Sequence, residues 1–462
     1  MKFHFKEIPG SVVAPEGFFA GSVFCDIKRL GTGKGSNKGQ KRDLALICSV
    51  APAAAAGMFT TNQVCAAPVK VCKERVAGGV AQAIVVNSGN ANACTGERGL
   101  RDARLMAALA AKAITDEGHA AVRPHLRRGP IAAPPEIRPE HALVASTGRI
   151  GIPLPMPNVR RGIRDAARAL GRSAADAADA AQAILTSDTR AKQIAIELKL
   201  AGRKVRFGGI CKGAGMIHPG MSATGERPAA MPLHATMLCF ITTDAAVDAP
   251  VLQAALQEAV AGSFNRITVD GDMSTNDSVL ALANGLAGNE KFGRHGAPFR
   301  IFQAALNHVC LTLAKKIVRD GEGVHRVVTV RVSGARSAAD ADAAARAVAN
   351  SPLVKTSWHG GDPNWGRIMD ALGYSAAKIA EAGVDIGYGA PGGKKIAWSV
   401  KGGRPTAVSF ESLRAAVAPD EFELHIRLNA GKAGAVIYAA DLTEDYVAFN
   451  KGDLGDPASM GG

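Results

Sequence analysis

The stretch Lys212-Gly-Ala-Gly-Met-Ile-His-Pro-Gly-Met221 leads on to His234-Ala-Thr236 and then to the apolar run Met237-Leu-Cys-Phe-Ile-Thr-Thr-Asp244. That order of residue types suits a chain that cuts itself. Glycines let the backbone bend out of ordinary geometry. Ala235 leaves its carbonyl open to attack, and a strand from Met237 would hold Thr236 rigidly. Breaking the Ala235–Thr236 bond would free an α-amine beside the Thr236 hydroxyl, putting nucleophile and base on one residue. The plainer reading is a glycine turn before a β-branched strand residue. These positions alone leave both open.

Other stretches carry the makings of a site. Ala83-Ile-Val-Val86 reads as a buried strand running into Asn87-Ser-Gly-Asn-Ala-Asn-Ala-Cys-Thr-Gly96, whose small polar side chains suit a site lining or an ordinary turn. The apolar strand Ala142 to Pro153 contains Ser146-Thr-Gly148, which could aim a hydroxyl and a backbone N–H at one point, as an oxyanion demands. Ser263 to Asp277 reads as a strand followed by a dense acid and hydroxyl loop. Asp270, Asp272 and Asp277 invite a calcium reading, but no Glu closes an EF-hand pattern, so no metal is expected. Gly31 to Gly39 lacks the phosphate-loop spacing and a following helix, and reads as a surface hairpin.

The elements that must position these residues follow from composition and pattern. A chain of 462 residues, 47% hydrophobic and 21% charged, can bury a large core in two or three domains. Its net charge of +14 is scattered and lacks interleaved aromatics, which favours small anionic metabolites over nucleic acid. The eight cysteines form no C-x-x-C pair and read as buried thiols in a reducing compartment. No signal-peptide core opens the chain and no run reaches the ~18 apolar residues of a membrane span, so the expected location is cytoplasmic. Helices are expected over 99–116, 158–185, 250–261 and 301–319, the last ending at Asp320-Gly-Glu-Gly323 with Glu322 on its turn. Strands are expected over 193–200 and 204–210, an exposed loop over 119–139, and an antiparallel sheet from 327–332, 422–428 and 435–439.

Together these stretches resemble the glutamate N-acetyltransferase family, also called ornithine acetyltransferase, from about residue 8 to residue 450. The resemblance is carried, in order, by Asn87 to Gly96, Ser146 to Gly148, Thr186-Ser-Asp-Thr189, Lys212 to Ile217, Ala235 to Leu238, Arg266 to Asp277, Asp320 to Gly323, Lys355-Thr356 with Asp362 to Ile368, and Asp441 to Asn450. It implies an α+β fold, an αββα-type sandwich with a smaller α/β C-terminal domain from about 325. It also implies a cut giving an α chain of residues 1–235 and a β chain of 236–462. Thr236 matches the nucleophile, Thr147 and Gly148 the oxyanion hole, and Thr189, Lys212, Thr236, Glu322 and Asn450 the substrate contacts. The implied reaction moves acetyl from N2-acetyl-L-ornithine to L-glutamate in arginine biosynthesis, through an acetyl-threonine ester. No cofactor is implied, although acetyl-CoA is open as a second donor. The implied assembly is α2β2 or larger, with no nucleic-acid or membrane partner.

The chain departs from the family pattern in three places. Ser222 to His234 is inserted between Met221 and Ala235, and carries a second pair, Ala223–Thr224. Thr236 is preferred because the family strand follows it. The connection His119 to Pro139 is longer, and Gly455 replaces a substrate-binding Ser or Thr. Two other readings stand beside the transferase. One is a related N-terminal-nucleophile amidohydrolase or aminopeptidase that passes the acyl group to water; the other is an unprocessed, non-catalytic homologue.

Overall fold

The computed structural model describes residues 3–28, 41–118, 120–122, 136–226 and 237–451. The Gly31–Gly39 hairpin, Ala235, Thr236, Gly455, and most of the Ser222–His234 insert and the 119–139 loop lie outside the described residues.

The first sheet has ten strands. Among them are β1 (Lys6–Glu7), β2 (Phe18–Val23), β3 (Leu44–Thr60), β4 (Val80–Asn90), β5 (Ala142–Arg149), β6 (Lys192–Leu200), β7 (Arg203–Lys212), β8 (Met221–Ser222) and β9 (Leu238–Thr243). The chain next gives β10 (Ile267–Thr268) to a second sheet and returns with β11 (Ser278–Ala283). The order is β1-β6-β7-β9-β11-β3-β4-β5, with β2 and β8 also paired to β3. β3 is long enough to serve both halves. Leu44 to Cys48 pair with β2 and β4, and Ala54 to Phe59 pair with β11. Between those halves Pro52 has no N–H for the ladder, and the β3–β4 register slips between Cys48 and Ala53.

Helices α1 (Ala67–Val76), α2 (Gly96–Asp116), α3 (Met156–Arg168) and α4 (Ala174–Ala183) pack on β2 to β5. On β3, β6 and β7 lie α5 (Ala249–Ala261) and α6 (Gly296–Arg319). Strand alternation sorts the side chains between two cores. Leu238, Phe240, Leu280 and Leu282 share a core with β2 to β4. Cys239, Ile241, Val279 and Ala281 face α5 and α6. Helices thus cover both outer faces of a folded sheet whose inner faces share a core, an αββα arrangement within an α+β fold.

The helical run expected over 158–185 is broken. Gly171 exchanges two backbone hydrogen bonds with Ala20, both 2.9 Å, and Ser173 with Asp176 forms a capping box that starts α4. A side chain on Gly171 would lie 2.2 Å from the Asp176 carboxylate.

A second sheet runs β10-β17-β12-β16-β13-β14-β15, where β12 is Val327–Ala335, β13 Asp385–Gly389, β14 Ile396–Lys401, β15 Arg404–Pro405, β16 Glu421–Arg427 and β17 Ala433–Ala440. Helix α7 (Ala338–Asn350) packs on β12 and β17 and contacts α8 (Pro352–His359) and α9 (Trp365–Gly373). Helix α10 (Phe410–Val417) packs on β13, and α11 (Glu444–Phe449) follows β17. The expectation of an antiparallel sheet is corrected: β12 pairs antiparallel with β17 but parallel with β16. Four helices and the three strands β13 to β15 lie between β12 and β16, a connection long enough for a parallel crossover. This sheet has its own core, which includes Val328, Val330, Leu424 and Trp358. Among the described residues no helix is long and apolar enough to cross a membrane.

Candidate active site

Three strand ends meet at the entrance to β9. Lys212, the last residue of β7, stands opposite Leu238, and β11 begins parallel to β9 with Ser278 opposite Leu238. Asp277 therefore lies on the other side of β9 from Lys212, and its Oδ1 accepts the Met237 backbone N–H. Asp277 is completely buried. Burial pushes its carboxyl well above the usual range; the Met237 N–H and the Lys212 charge pull the other way without prevailing.

The oxyanion-type loop reaches this point from the other half of the sheet. Lys212 Nζ donates to Thr147 Oγ1 at 3.4 Å, and both residues are buried. A hydroxyl that accepts from Lys212 keeps its own O–H for another acceptor. Asn276 ties the halves together, its Nδ2 donating to the Ser146 carbonyl at 2.8 Å and to the Ala91 carbonyl at 2.7 Å. Gly148 follows Thr147 at φ +132°, opposite Gly89 at φ +98°. The β4–β5 register slips just beyond that pair, so the two backbones approach closely where Thr147 is held.

Behind Lys212 lies a buried charge network. Lys192 Nζ bridges Asp188 Oδ1 at 2.6 Å and Asp320 Oδ2 at 2.5 Å, while Asp188 Oδ1 also accepts the Gly213 N–H at 2.7 Å. Burial opposes the charge on Asp188, but Lys212, Lys192 and the Gly213 N–H together hold its carboxyl below the usual range. Lys192 answers Asp188 at bonding distance, whereas Lys212 stands 3.9 Å away. Burial therefore dominates at Lys212 and lowers its pKa against the attraction of Asp188. The Thr189 hydroxyl and N–H both donate to Asp320, so that hydroxyl offers a ligand only lone pairs.

The Asp320–Gly323 turn is fastened on two sides. Glu322 N donates to the Ala214 carbonyl at 2.9 Å, and a Cβ on Gly215 would sit 2.5 Å from the Glu322 carboxyl carbon. Asn450, just past α11, gives its Nδ2 to Glu322 Oε2 at 3.0 Å. Thr443 Oγ1 donates to the Gly323 carbonyl at 2.7 Å, pinning the start of α11 to the same turn. Thr147, Gly148, Thr189, Lys212, Glu322 and Asn450 are thus linked through β9 and the Lys192 network. The Thr236 assignment lies outside the described residues, although its covalent neighbour Met237 enters this cluster.

Sequence reasoning assigned no role to Asp188, Lys192, Asp320 or Asn276. Asp188 and Asp320 lie inside the Thr186–Thr189 and Asp320–Gly323 motifs, where a small neighbour, Ser187 or Gly321, flanks each. The three acids of the calcium reading do not converge. Asp270 accepts the Met216 and Ile217 N–H groups at 2.6 and 2.8 Å, whereas Asp277 is turned to the Met237 N–H. Among the described residues no group of three His, Cys, Asp or Glu side chains is placed to hold a metal. A separate cavity of about 1160 Å³ is lined by Ala53, Phe59, Val76 and Val80, with Lys73 and Lys291 as its cationic lining, and takes in none of the candidate residues.

The sequence has relatives. A sequence profile described as the ArgJ family matches residues 29–452. The arginine biosynthesis bifunctional protein ArgJ of Symbiobacterium thermophilum is 46% identical over 443 residues, 96% of this chain and 98% of its own. The corresponding ArgJ 1 of Clostridium acetobutylicum is 42% identical over 425 residues, 92% of this chain and 94% of its own. Among solved structures, ornithine acetyltransferase from Mycobacterium tuberculosis, complexed with ornithine, is 32% identical with a TM-score of 0.40, covering 47% of this chain and 100% of its own.

Proposed function

The chain belongs to the ArgJ family, and on that premise we propose that it transfers the acetyl group of N2-acetyl-L-ornithine to L-glutamate. The chain first cuts itself between Ala235 and Thr236, dividing into residues 1–235 and 236–462. The Thr236 hydroxyl then attacks the acetyl carbonyl while its own α-amine takes the proton. Thr147 Oγ1–H and the Gly148 N–H stabilise the oxyanion. Ornithine leaves, glutamate attacks the acetyl ester, and N-acetyl-L-glutamate departs. The observation that carries this reading is the Lys212–Thr147 contact beside the strand that Thr236 enters, because it leaves the Thr147 hydroxyl free to donate.

Substrate charge is read by Lys212 and Glu322, the first pairing with a carboxylate and the second with an amine; Thr189 and Asn450 complete the contacts. Replacing Glu322 by Gln keeps an acceptor for Asn450 but removes the charge. A charge-assisted hydrogen bond is worth ~1.5–3 kcal/mol, so KM for acetylornithine should rise about 10- to 100-fold. An unchanged KM in steady-state assays would remove Glu322 from the substrate site.

Because the relatives are named bifunctional, acetyl-CoA is included here as a second donor to glutamate. The cleaved halves remain associated as α2β2 or larger assemblies and act in the cytoplasm. Ornithine release from acetylornithine should require glutamate and yield N-acetylglutamate in equal amount. Acetate released at the same rate without glutamate would identify a hydrolase instead.

A further inference from the structure

One buried acid near β9 has no part in the transfer cycle. Asp277 Oδ1 accepts the Met237 N–H, and its Oδ2 has no hydrogen-bond partner among the described residues. The peptide bond that supplies this N–H has the Thr236 carbonyl carbon as its other atom, so the carboxyl is fixed one peptide unit from the reacting residue. A solvent-free carboxylate with an idle oxygen is costly, and a buried polar atom is normally paired.

We infer that Asp277 is a catalytic residue of the self-cleavage step, carrying the proton in the cut between Ala235 and Thr236. This rests on the self-cleavage reading above and adds a residue to it. Lys212, across β9, is the charged side chain that acts on Asp277, and burial outweighs it, so the carboxyl keeps its proton to higher pH than an ordinary carboxyl does. In that form one oxygen accepts the Met237 N–H while the other has a proton to give. Thr236 Oγ forms a bond to the Ala235 carbonyl carbon as the bond from that carbon to the Thr236 nitrogen breaks. Asp277 gives its proton to the departing nitrogen and takes the hydroxyl proton, ending unchanged. Water then splits the ester, leaving the Ala235 carboxylate and the Thr236 hydroxyl with its free amine.

The test follows freshly synthesised full-length chain on denaturing gels. Asp277→Asn keeps the shape and an acceptor for Met237 but cannot exchange a proton in this way. It should cut at least about 100-fold more slowly than wild type, with Asp277→Glu restoring part of the rate. Wild-type cutting should slow as pH rises through the raised range of Asp277, because the protonated form is lost. Equal rates for wild type and Asp277→Asn overturn the inference. If Asp277→Asn does not fold, a wild-type rate that stays level or climbs with pH overturns it. A wild-type chain that stays whole overturns the self-cleavage reading and this inference with it, an outcome distinct from both.

Discussion

Replacing Thr236 by valine should leave a single full-length chain and no measurable acetyl transfer. Valine keeps the β-branched shape that suits the entrance to β9, so strand pairing with Lys212 and Asp277 has no reason to change. Only the hydroxyl is lost. Without it nothing attacks the Ala235 carbonyl, the α-amine stays locked in a peptide bond, and both nucleophile and base are missing. Removing a nucleophile from a hydrolase triad costs on the order of 10⁶ in turnover, and here the base goes with it. Thr236→Ser retains both groups and should still cut. Intact-mass measurement separates the outcomes, since wild type should give chains of 235 and 227 residues from the 462. Wild-type activity in the valine variant would end the proposal, whichever other residues contribute.

The strands that meet at the site were legible because each combines apolar alternation with a glycine or polar terminus. β6, β7 and β9 all fall where the residue pattern puts them. Local pattern also has clear limits. Strand β4 runs on to Asn90 through residues that read as a loop, since pairing with β5 satisfies the backbone of Asn87 to Asn90. Tertiary pairing overrides turn propensity there. The parallel pairing of β12 with β16 was equally hidden, because alternation reports which face a residue takes and not the direction of its neighbour. The charge network was missed for a similar reason. Asp188 and Lys192 are four residues apart, but Asp320 comes from the far end of α6, and only the fold brings it to Lys192. The chemistry at Asp277 depends on burial and on which N–H its carboxyl meets, neither of which a single sequence displays.

Gly148→Ala should abolish most turnover while costing more than backbone strain alone. At φ +132° an L side chain is strained, and its Cβ would lie 2.3 Å from the Gly89 carbonyl carbon and 2.5 Å from the Asn90 nitrogen. Those neighbours are backbone atoms of a paired strand and cannot swing aside as a side chain can. Strands β4 and β5 would have to separate beside Thr147, drawing its hydroxyl from the Lys212 ammonium and shifting the Gly148 N–H. Losing one oxyanion donor lowers turnover by ~10²–10³, and two displaced donors should lower it at least as far. Gly151 provides the control. It also has a positive φ, +84°, but nothing lies within 4 Å of an added Cβ. Gly151→Ala should therefore lose about 1–3 kcal/mol of stability through strain and keep its turnover. Measuring kcat alongside thermal unfolding for both variants distinguishes a local distortion of the site from general weakening. If Gly148→Ala retains kcat within threefold of Gly151→Ala, the oxyanion does not sit against this strand pair, and the roles given to Thr147 and Gly148 must be reassigned.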